Sequence, residues 1–429
     1  MEKREAGRLL CDFLSGRNRP EARLEKLSAA DRESLVDWSL RFKVGGLFYR
    51  EIKSRDFPAE MIPADARNRL RDAYRNSAMS NTRLFFEALK VLKSLADNEL
   101  PVIALKGLSL AKNVYGDIAL RPMSDMDLLV KKEDLARAGR ILRNLGYQPY
   151  FPVSEITWKK HHHLPPFTNN SGAIIELHWN IVTPDSRLKV DLDGLWERAG
   201  LIKVDNVEVR ALAPEDLLLH LCLHAGVHLQ TGLDLIPFCD IAGLIKAAAD
   251  KIDWQIVIER ATRWGGQKCV YLMLLLVREL LGAVPPDKIM SEIKPDDYQS
   301  VFFDEALKQI LDGSPEILST IVYGPEVSSL GQLIAITIGQ LSKIKKVKGI
   351  KGKVLALLKK AFPSREELAS RYPVSVSFPK IYLCYLFRLG RLIVYYTIVL
   401  LRLFRRDQSV INAVHQAHRV SAVSDWMFS

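Results

Sequence analysis

The sequence predicts an α+β protein in which a small mixed sheet with helices is flanked by N- and C-terminal regions that are helical throughout. Three observations carry this prediction. Apolar residues recur at helical spacing up to about residue 80 and again beyond Pro214. Between these regions, short apolar runs rich in β-branched residues stand at 101–105, 126–130 and 173–181. Breaks such as Lys106-Gly107 and the turn-forming stretch 168–172 (Thr-Asn-Asn-Ser-Gly) set those runs apart.

In chain order, residues 1–80 read as a helical cap, with Leu35, Val36, Trp38, Leu40 and Phe42, then Leu47, Phe48 and Ile52, at helical spacing. Residues 81–99 give the strongest helix, placing Leu84, Phe85, Leu89, Leu92 and Leu95 on one side. A strand at 101–105, a helix from 108 to about 115, a strand at 126–130 and a helix over 132–145 ended by Gly146 come next. Strands at about 157–167 and 173–181 flank the 168–172 turn as a hairpin. Helices then follow at 216–229, 238–249, 254–264 and 270–281. Breaks at 204–206 and 284–287 divide the chain into a helical cap (1–80), a catalytic core (81–205), a helical domain (206–285) and a basic helical region (286–429). No internal repeat is visible.

A chain of 429 residues is too long for one compact core, and a hydrophobic share of 48% excludes a disordered or fibrous protein. Cys11, Cys222, Cys239, Cys269 and Cys384 are scattered and form no CxxC pair, which argues against a disulfide framework or a Cys-rich zinc site. A reducing cytoplasm is the expected home, since the first residues lack the apolar run and cleavage site of an export signal. The net charge of +11 is concentrated: residues 343–406 hold sixteen Lys or Arg against two Glu, an excess of fourteen positive charges, leaving −3 for the rest. This predicts an anionic partner there, a lipid surface or RNA. The most apolar stretch, 381–404, is interrupted by Arg388, Arg391 and Arg402. Its clean run of ten residues is about half the ~20 needed to cross a bilayer. Packing on the rest of the protein with the arginines outward is expected, and peripheral membrane contact is the alternative.

The chemistry sits in the middle of the chain. Asp125 and Asp127 stand two apart at the start of an apolar run, so a strand would put both carboxylates on one face. Such a pair repels itself unless a cation intervenes, and carboxylates are the hard oxygen ligands that Mg²⁺ and Mn²⁺ prefer. Glu176 is a third acid, alone among apolar residues on another predicted strand. Upstream, Gly107 at a strand-to-helix turn would let backbone N–H groups face a phosphate, with Lys106, Ser109 and Arg121 adding contacts. Read from the residues alone, this is a site for divalent metal and phosphate.

The pattern Leu105-Lys106-Gly107, Tyr115, Arg121-Pro122, Asp125-x-Asp127-Leu-Leu-Val, Gly146-Tyr147 and Glu176-Leu-His178-Trp179 resembles the DNA polymerase β-like nucleotidyltransferase superfamily. Within it, the pattern looks like the bacterial branch of uncharacterised nucleotidyltransferase family proteins, over roughly residues 80–280. The resemblance implies that Asp125 and Asp127 bind the metal ions and that Glu176 completes one metal site and helps deprotonate the attacking hydroxyl. It also implies a nucleoside triphosphate substrate, with Mg²⁺ or Mn²⁺ as cofactor. The usual Gly-Ser pair appears here as Lys106-Gly107-Leu108-Ser109, a departure from the superfamily pattern.

His220, His224 and His228 recur every four residues and so share one helix face, which is read as facing the site rather than binding zinc. Asp240 is their expected acidic partner, and His178 is expected to face the same pocket. The 161–163 histidines lie near the start of the hairpin, where an exposed strand end and a base-stacking surface are both open readings. The expected activity is transfer of a nucleoside monophosphate to a hydroxyl acceptor (a protein, a peptide or a small molecule) with release of pyrophosphate. The alternatives are transfer to an RNA end, or a nucleotide-binding regulatory protein of the same fold without turnover.

Overall fold

The computed structural model describes residues 1–312 except 56, 151–160 and 230–234, together with 351, 362, 363, 365, 368, 381–406 and 408–429. Four helices open the chain: α1 (Lys3–Ser15), α2 (Pro20–Glu25), α3 (Ala29–Arg41) and α4 (Gly45–Ser54). Their ends follow local chemistry. Gly16, at φ 73°, turns the chain out of α1, and Ser28 caps α3 by accepting the Asp31 N–H. Helix α5 (Ala64–Asp97) has 34 residues, about 51 Å at 1.5 Å per residue, and runs unbroken through residue 80.

The central elements are β1 (Ile103–Ala104), α6 (Lys106–Asn113), β2 (Met126–Leu129), α7 (Leu135–Asn144), β3 (Gln148–Pro149), β4 (Phe167–Thr168), β5 (Ile174–His178), α8 (Leu192–Arg198), β6 (Gly200–Val204) and β7 (Val207–Ala211). They build one seven-stranded mixed sheet in the order β3-β4-β5-β2-β1-β7-β6. Strand β2 runs parallel to β5 and β1 parallel to β7, while the remaining neighbours are antiparallel. All four residues of β2 are buried, as expected of a central strand covered on both faces. Its one charged member, Asp127, is therefore a buried carboxylate that needs a partner.

Helices α9 (Pro214–His228), α10 (Ile236–Ala247), α11 (Trp254–Arg263), α12 (Gln267–Leu281), α13 (Asp287–Glu292) and α14 (Ser300–Asp312) follow, then α15 (Ile381–Phe404) and α16 (Gln408–Met427). Two buried cores hold the molecule. One joins the N-terminal helices to the later ones, with Phe13, Leu35 and Phe48 in the same cluster as Phe238, Leu272 and Leu311. The other lies between the sheet, α5 and α7, and contains Val91, Leu95, Leu128, Leu142 and Ile175. Glu87 pins α5 to the hairpin side of the sheet: its carboxylate accepts from Tyr147 Oη at 2.7 Å, Asn169 Nδ2 at 2.9 Å and Lys90 Nζ at 2.9 Å.

The predicted α+β class holds, with three differences in detail. Among the described residues, the first hairpin strand is reduced to Phe167–Thr168 plus a single bridge between His163 and His178, and residues 157–160 of that prediction lie outside the described residues. The break at 204–206 is the turn of the β6–β7 hairpin, with Asp205 at φ 53°, and β7 joins the sheet beside β1. Among the described side chains of helix α15, Ile381 is buried, whereas Leu386, Phe387 and Phe404 are 67%, 73% and 89% exposed, so the expected packing is partial there. The lysine-rich stretch 343–360 lies outside the described residues apart from Lys351.

Candidate metal and nucleotide site

Strand pairing assembles the site. In the parallel β2–β5 register Asp127 lies opposite Glu176, so their carboxylates emerge on one face of the sheet. Two residues further along β5, His178 emerges on that face too. Its Nε2 sits 2.9 Å from Asp127 Oδ1 and 3.3 Å from Glu176 Oε2, placed between the two acids. The cation on the other side comes from the strand pairing next door. β1 lies antiparallel to β2, and the Leu105 N–H donates to the Asp127 carbonyl at 3.0 Å. Lys106, the first residue of α6, thus leaves the sheet level with Asp127 and puts its Nζ 3.1 Å from Asp127 Oδ2.

Helix α9 forms the facing wall. Lys106 Nζ lies 3.1 Å from His224 Nε2, and His228 Nε2 lies 3.0 Å from the same atom. His224 therefore accepts on Nε2. His220, 3% exposed, has no partner on either ring nitrogen among the described residues. From the other side, the rings of His162 and His163 lie 5.3 and 5.1 Å from that of His178, and the His162 carbonyl accepts the N–H groups of Trp179 and Asn180. These two histidines thus pack on the site instead of forming an exposed strand end.

Burial and charge oppose each other here. Burial acts to raise the carboxyl pKa of Asp127, but Lys106 and His178 outweigh it and hold the group well below its ordinary value. Glu176 is also lowered: burial acts against this, and the His178 hydrogen bond overcomes it. Burial would lower His178, yet its bonds to Asp127 and Glu176 raise it. Asp125, half-buried just before β2, is pushed up to about 6 by burial and by the charge of Asp127. His220 and His224 are pushed well down by burial and by the Lys106 charge, so both are neutral bases. Lys106 remains an ammonium because the charges of Asp127 and Asp125 offset its burial.

Ligand atoms of Asp127, Glu176 and His178 all lie within 4.8 Å of one another, a spacing that one ion could bridge. Two carboxylates and an imidazole are a donor set that fits a divalent cation. Asp125 is outside this trio, although it senses the charges of both acids.

Other predicted contacts fall elsewhere. Arg121 donates from Nε and Nη2 to Asp240 Oδ1 and Oδ2 at 2.9 and 2.8 Å, and Tyr115 Oη donates to Oδ1 at 2.8 Å. In the structure Asp240, expected to partner the histidines, pairs with Arg121, the guanidinium expected to reach phosphate. Gly107 lies in the first turn of α6, where an added Cβ would come within 2.9 Å of Met123 Sδ. Its lack of a side chain admits the loop that leads into Asp125. Ser109 is buried within the same helix.

One positioning residue escaped the sequence reading. Asn81, fully buried on α5, donates to the Ile118 carbonyl and, at 2.8 Å, to the Arg121 carbonyl, and it accepts the Met123 N–H at 3.2 Å. It clamps the loop that delivers Asp125 and Asp127. The signal was present: Asn81 occupies the same helical stripe as Leu84, Ala88, Val91 and Leu95, where an amide needs partners.

No curated protein and no solved structure matches the chain. A family model described as an uncharacterised nucleotidyltransferase matches residues 28–282, more than half of the sequence, and spans α5, the whole sheet and the α9 wall. The protein therefore belongs to this uncharacterised nucleotidyltransferase family.

Proposed function

We propose that the protein moves a nucleoside monophosphate from a nucleoside triphosphate to a hydroxyl acceptor (a protein, a peptide or a small molecule) and releases pyrophosphate. The observation that carries this reading is the in-register pairing of Asp127 with Glu176, which gathers two carboxylates and His178 on one sheet face beside a buried lysine. Asp127, Glu176 and His178 would hold Mg²⁺ or Mn²⁺, and Asp125 extends the acidic face. A bound cation there supplies charge neutralisation and alignment for in-line displacement at the α-phosphorus. The residues contribute the rest. The Lys106 ammonium and the N-terminal end of α6 offer positive charge to the triphosphate. Glu176, ionised beside His178, orients the acceptor hydroxyl and takes its proton as the new O–P bond forms and the bond to pyrophosphate breaks. His224, kept neutral by burial and by the Lys106 charge, holds Lys106 without adding charge, and His228 lies against it.

The test uses each α-labelled nucleotide with purified protein, Mg²⁺ or Mn²⁺ and cell extract. Label should pass to a macromolecule or metabolite with wild type and not with Asp127→Asn. Equal inertness of both proteins across nucleotides and metals would overturn the proposal.

We infer a place of action from the exposed face of α15. Among the described residues no helix is long and apolar enough to cross a membrane. Yet α15 exposes Leu383, Leu386, Phe387, Ile393, Val394 and Phe404 and ends at the exposed Arg405 and Arg406, and the sequence has no Asp or Glu from 381 to 406. An apolar stripe, mostly aliphatic with two phenylalanines, beside arginines suits the interface of an anionic bilayer better than a nucleic-acid backbone, which offers nothing for the aliphatics. In this reading the enzyme works in the cytoplasm at a membrane surface. It should float with vesicles containing anionic lipid, and Phe387→Glu with Phe404→Glu should abolish this. Flotation unchanged by the double variant contradicts the assignment.

A further inference from the structure

We infer that Lys106 is a built-in counterion: it occupies the acidic site while no divalent cation is bound, leaves Asp127 when the cation arrives, and turns its ammonium to the triphosphate. The inference rests on the metal-and-nucleotide reading above.

Geometry carries it. The Lys106 ammonium lies 3.1 Å from Oδ2 of the carboxylate whose other oxygen is 2.9 Å from His178 Nε2. Asp127 belongs to the trio that could hold a metal, so a dication bound there would bring two positive groups onto one carboxylate. Repulsion between like charges at such separation in a water-poor site is large, and the flexible group yields. The lysine does not lose every partner when it moves. His224 Nε2, 3.1 Å away, accepts from the same ammonium and is itself braced by His228 at 3.0 Å. Only the side chain has to turn, because Lys106 is fixed at the first position of α6 by the adjoining Leu105 bond to Asp127. That helix end also points its positive pole at the site, so an arriving polyphosphate meets both.

Two consequences follow. A divalent cation alone binds weakly, since it must evict the ammonium. Cation and triphosphate bind cooperatively, since the triphosphate gives the evicted ammonium a new partner, and this coupling is reciprocal.

The experiment titrates Mn²⁺ into wild type, Lys106→Gln, Lys106→Met and Lys106→Arg. Free Mn²⁺ is followed by electron paramagnetic resonance, with and without a non-hydrolysable triphosphate analogue. The Gln and Met variants should bind Mn²⁺ alone roughly tenfold more tightly than wild type, and the analogue should enhance that binding less than it does in wild type. Lys106→Arg should keep the wild-type pattern. The melting temperature of Lys106→Met should fall in chelator and recover in Mn²⁺. Should the Met variant fail to fold, Lys106→Gln, which retains a donor for Asp127, gives the same reading. Mn²⁺ binding by the folded Gln variant that is no tighter than wild type, with nucleotide coupling intact, overturns the inference and leaves the metal site standing. Wild type that binds no Mn²⁺ even with the analogue defeats both.

Discussion

Replacing Arg121 with methionine separates a structural cation from a phosphate-binding one. Arg121 and Asp240 are 11% and 3% exposed at the side chain and share two hydrogen bonds of 2.9 and 2.8 Å. Removing the guanidinium leaves a buried carboxylate with the Tyr115 hydroxyl as its remaining hydrogen-bond donor in this network. Breaking a buried pair in this way costs about 3–5 kcal/mol, whereas removing both charges together is close to neutral. Arg121→Met should therefore lose about 3–5 kcal/mol of stability in urea unfolding. The double variant Arg121→Met with Asp240→Leu should regain most of it. A double-mutant cycle gives the coupling directly. Nucleotide affinity in the double variant, measured by calorimetry with a triphosphate analogue, should stay within a few-fold of wild type. An Arg121→Met protein of unchanged stability whose triphosphate affinity has collapsed would refute this assignment and return Arg121 to the phosphate site.

Two further perturbations test the surroundings. Gly107→Val places a branched side chain where even a Cβ lies 2.9 Å from Met123 Sδ, so it should lose about 1–3 kcal/mol and disturb the approach to Asp125, lowering nucleotide transfer in the labelling assay. A well-folded, fully active Gly107→Val would show that the contact is not needed. His178→Gln should remove a stabilisation with a defined pH window when melting is followed in chelator. The raised pKa of His178 makes its contribution fully present below the unfolded value of 6.5 and lost as pH rises through the folded value. The depressed pKa of Asp127 makes its own contribution present above the unfolded value of 3.8 and lost as pH falls through the folded value. The gap in melting temperature between wild type and His178→Gln should be widest between these limits and close towards alkaline pH, and a gap that widens there would contradict the bridging role.

Glu176 stood out as a lone carboxylate in an apolar strand, and Asp127 as one of two acids two residues apart at the start of another, and local sequence displays both patterns. The helices from 214 to 281 were legible for a similar reason, since their apolar periodicity is local. What escaped was long-range. The bond of His178 to Asp127 depends on β2 lying parallel to β5, and that of Lys106 on β1 lying beside β2. Arg121 and Asp240 are 119 positions apart, and nothing in either neighbourhood announces the other. The β6–β7 hairpin is a different case. Ile202, Val204, Val207, Val209 and Ala211 alternate around Asp205-Asn206 as a hairpin requires, but helical sequence follows so soon after it that the turn also reads as a break between units.

Anomalous diffraction from crystals grown with Mn²⁺ and a non-hydrolysable nucleoside triphosphate tests the central claim most directly. A manganese peak is expected within coordination distance of Asp127 and Glu176, with the triphosphate beside it and the Lys106 ammonium turned towards phosphate. Nucleotide bound elsewhere on the protein, with no manganese at these acids, would contradict it.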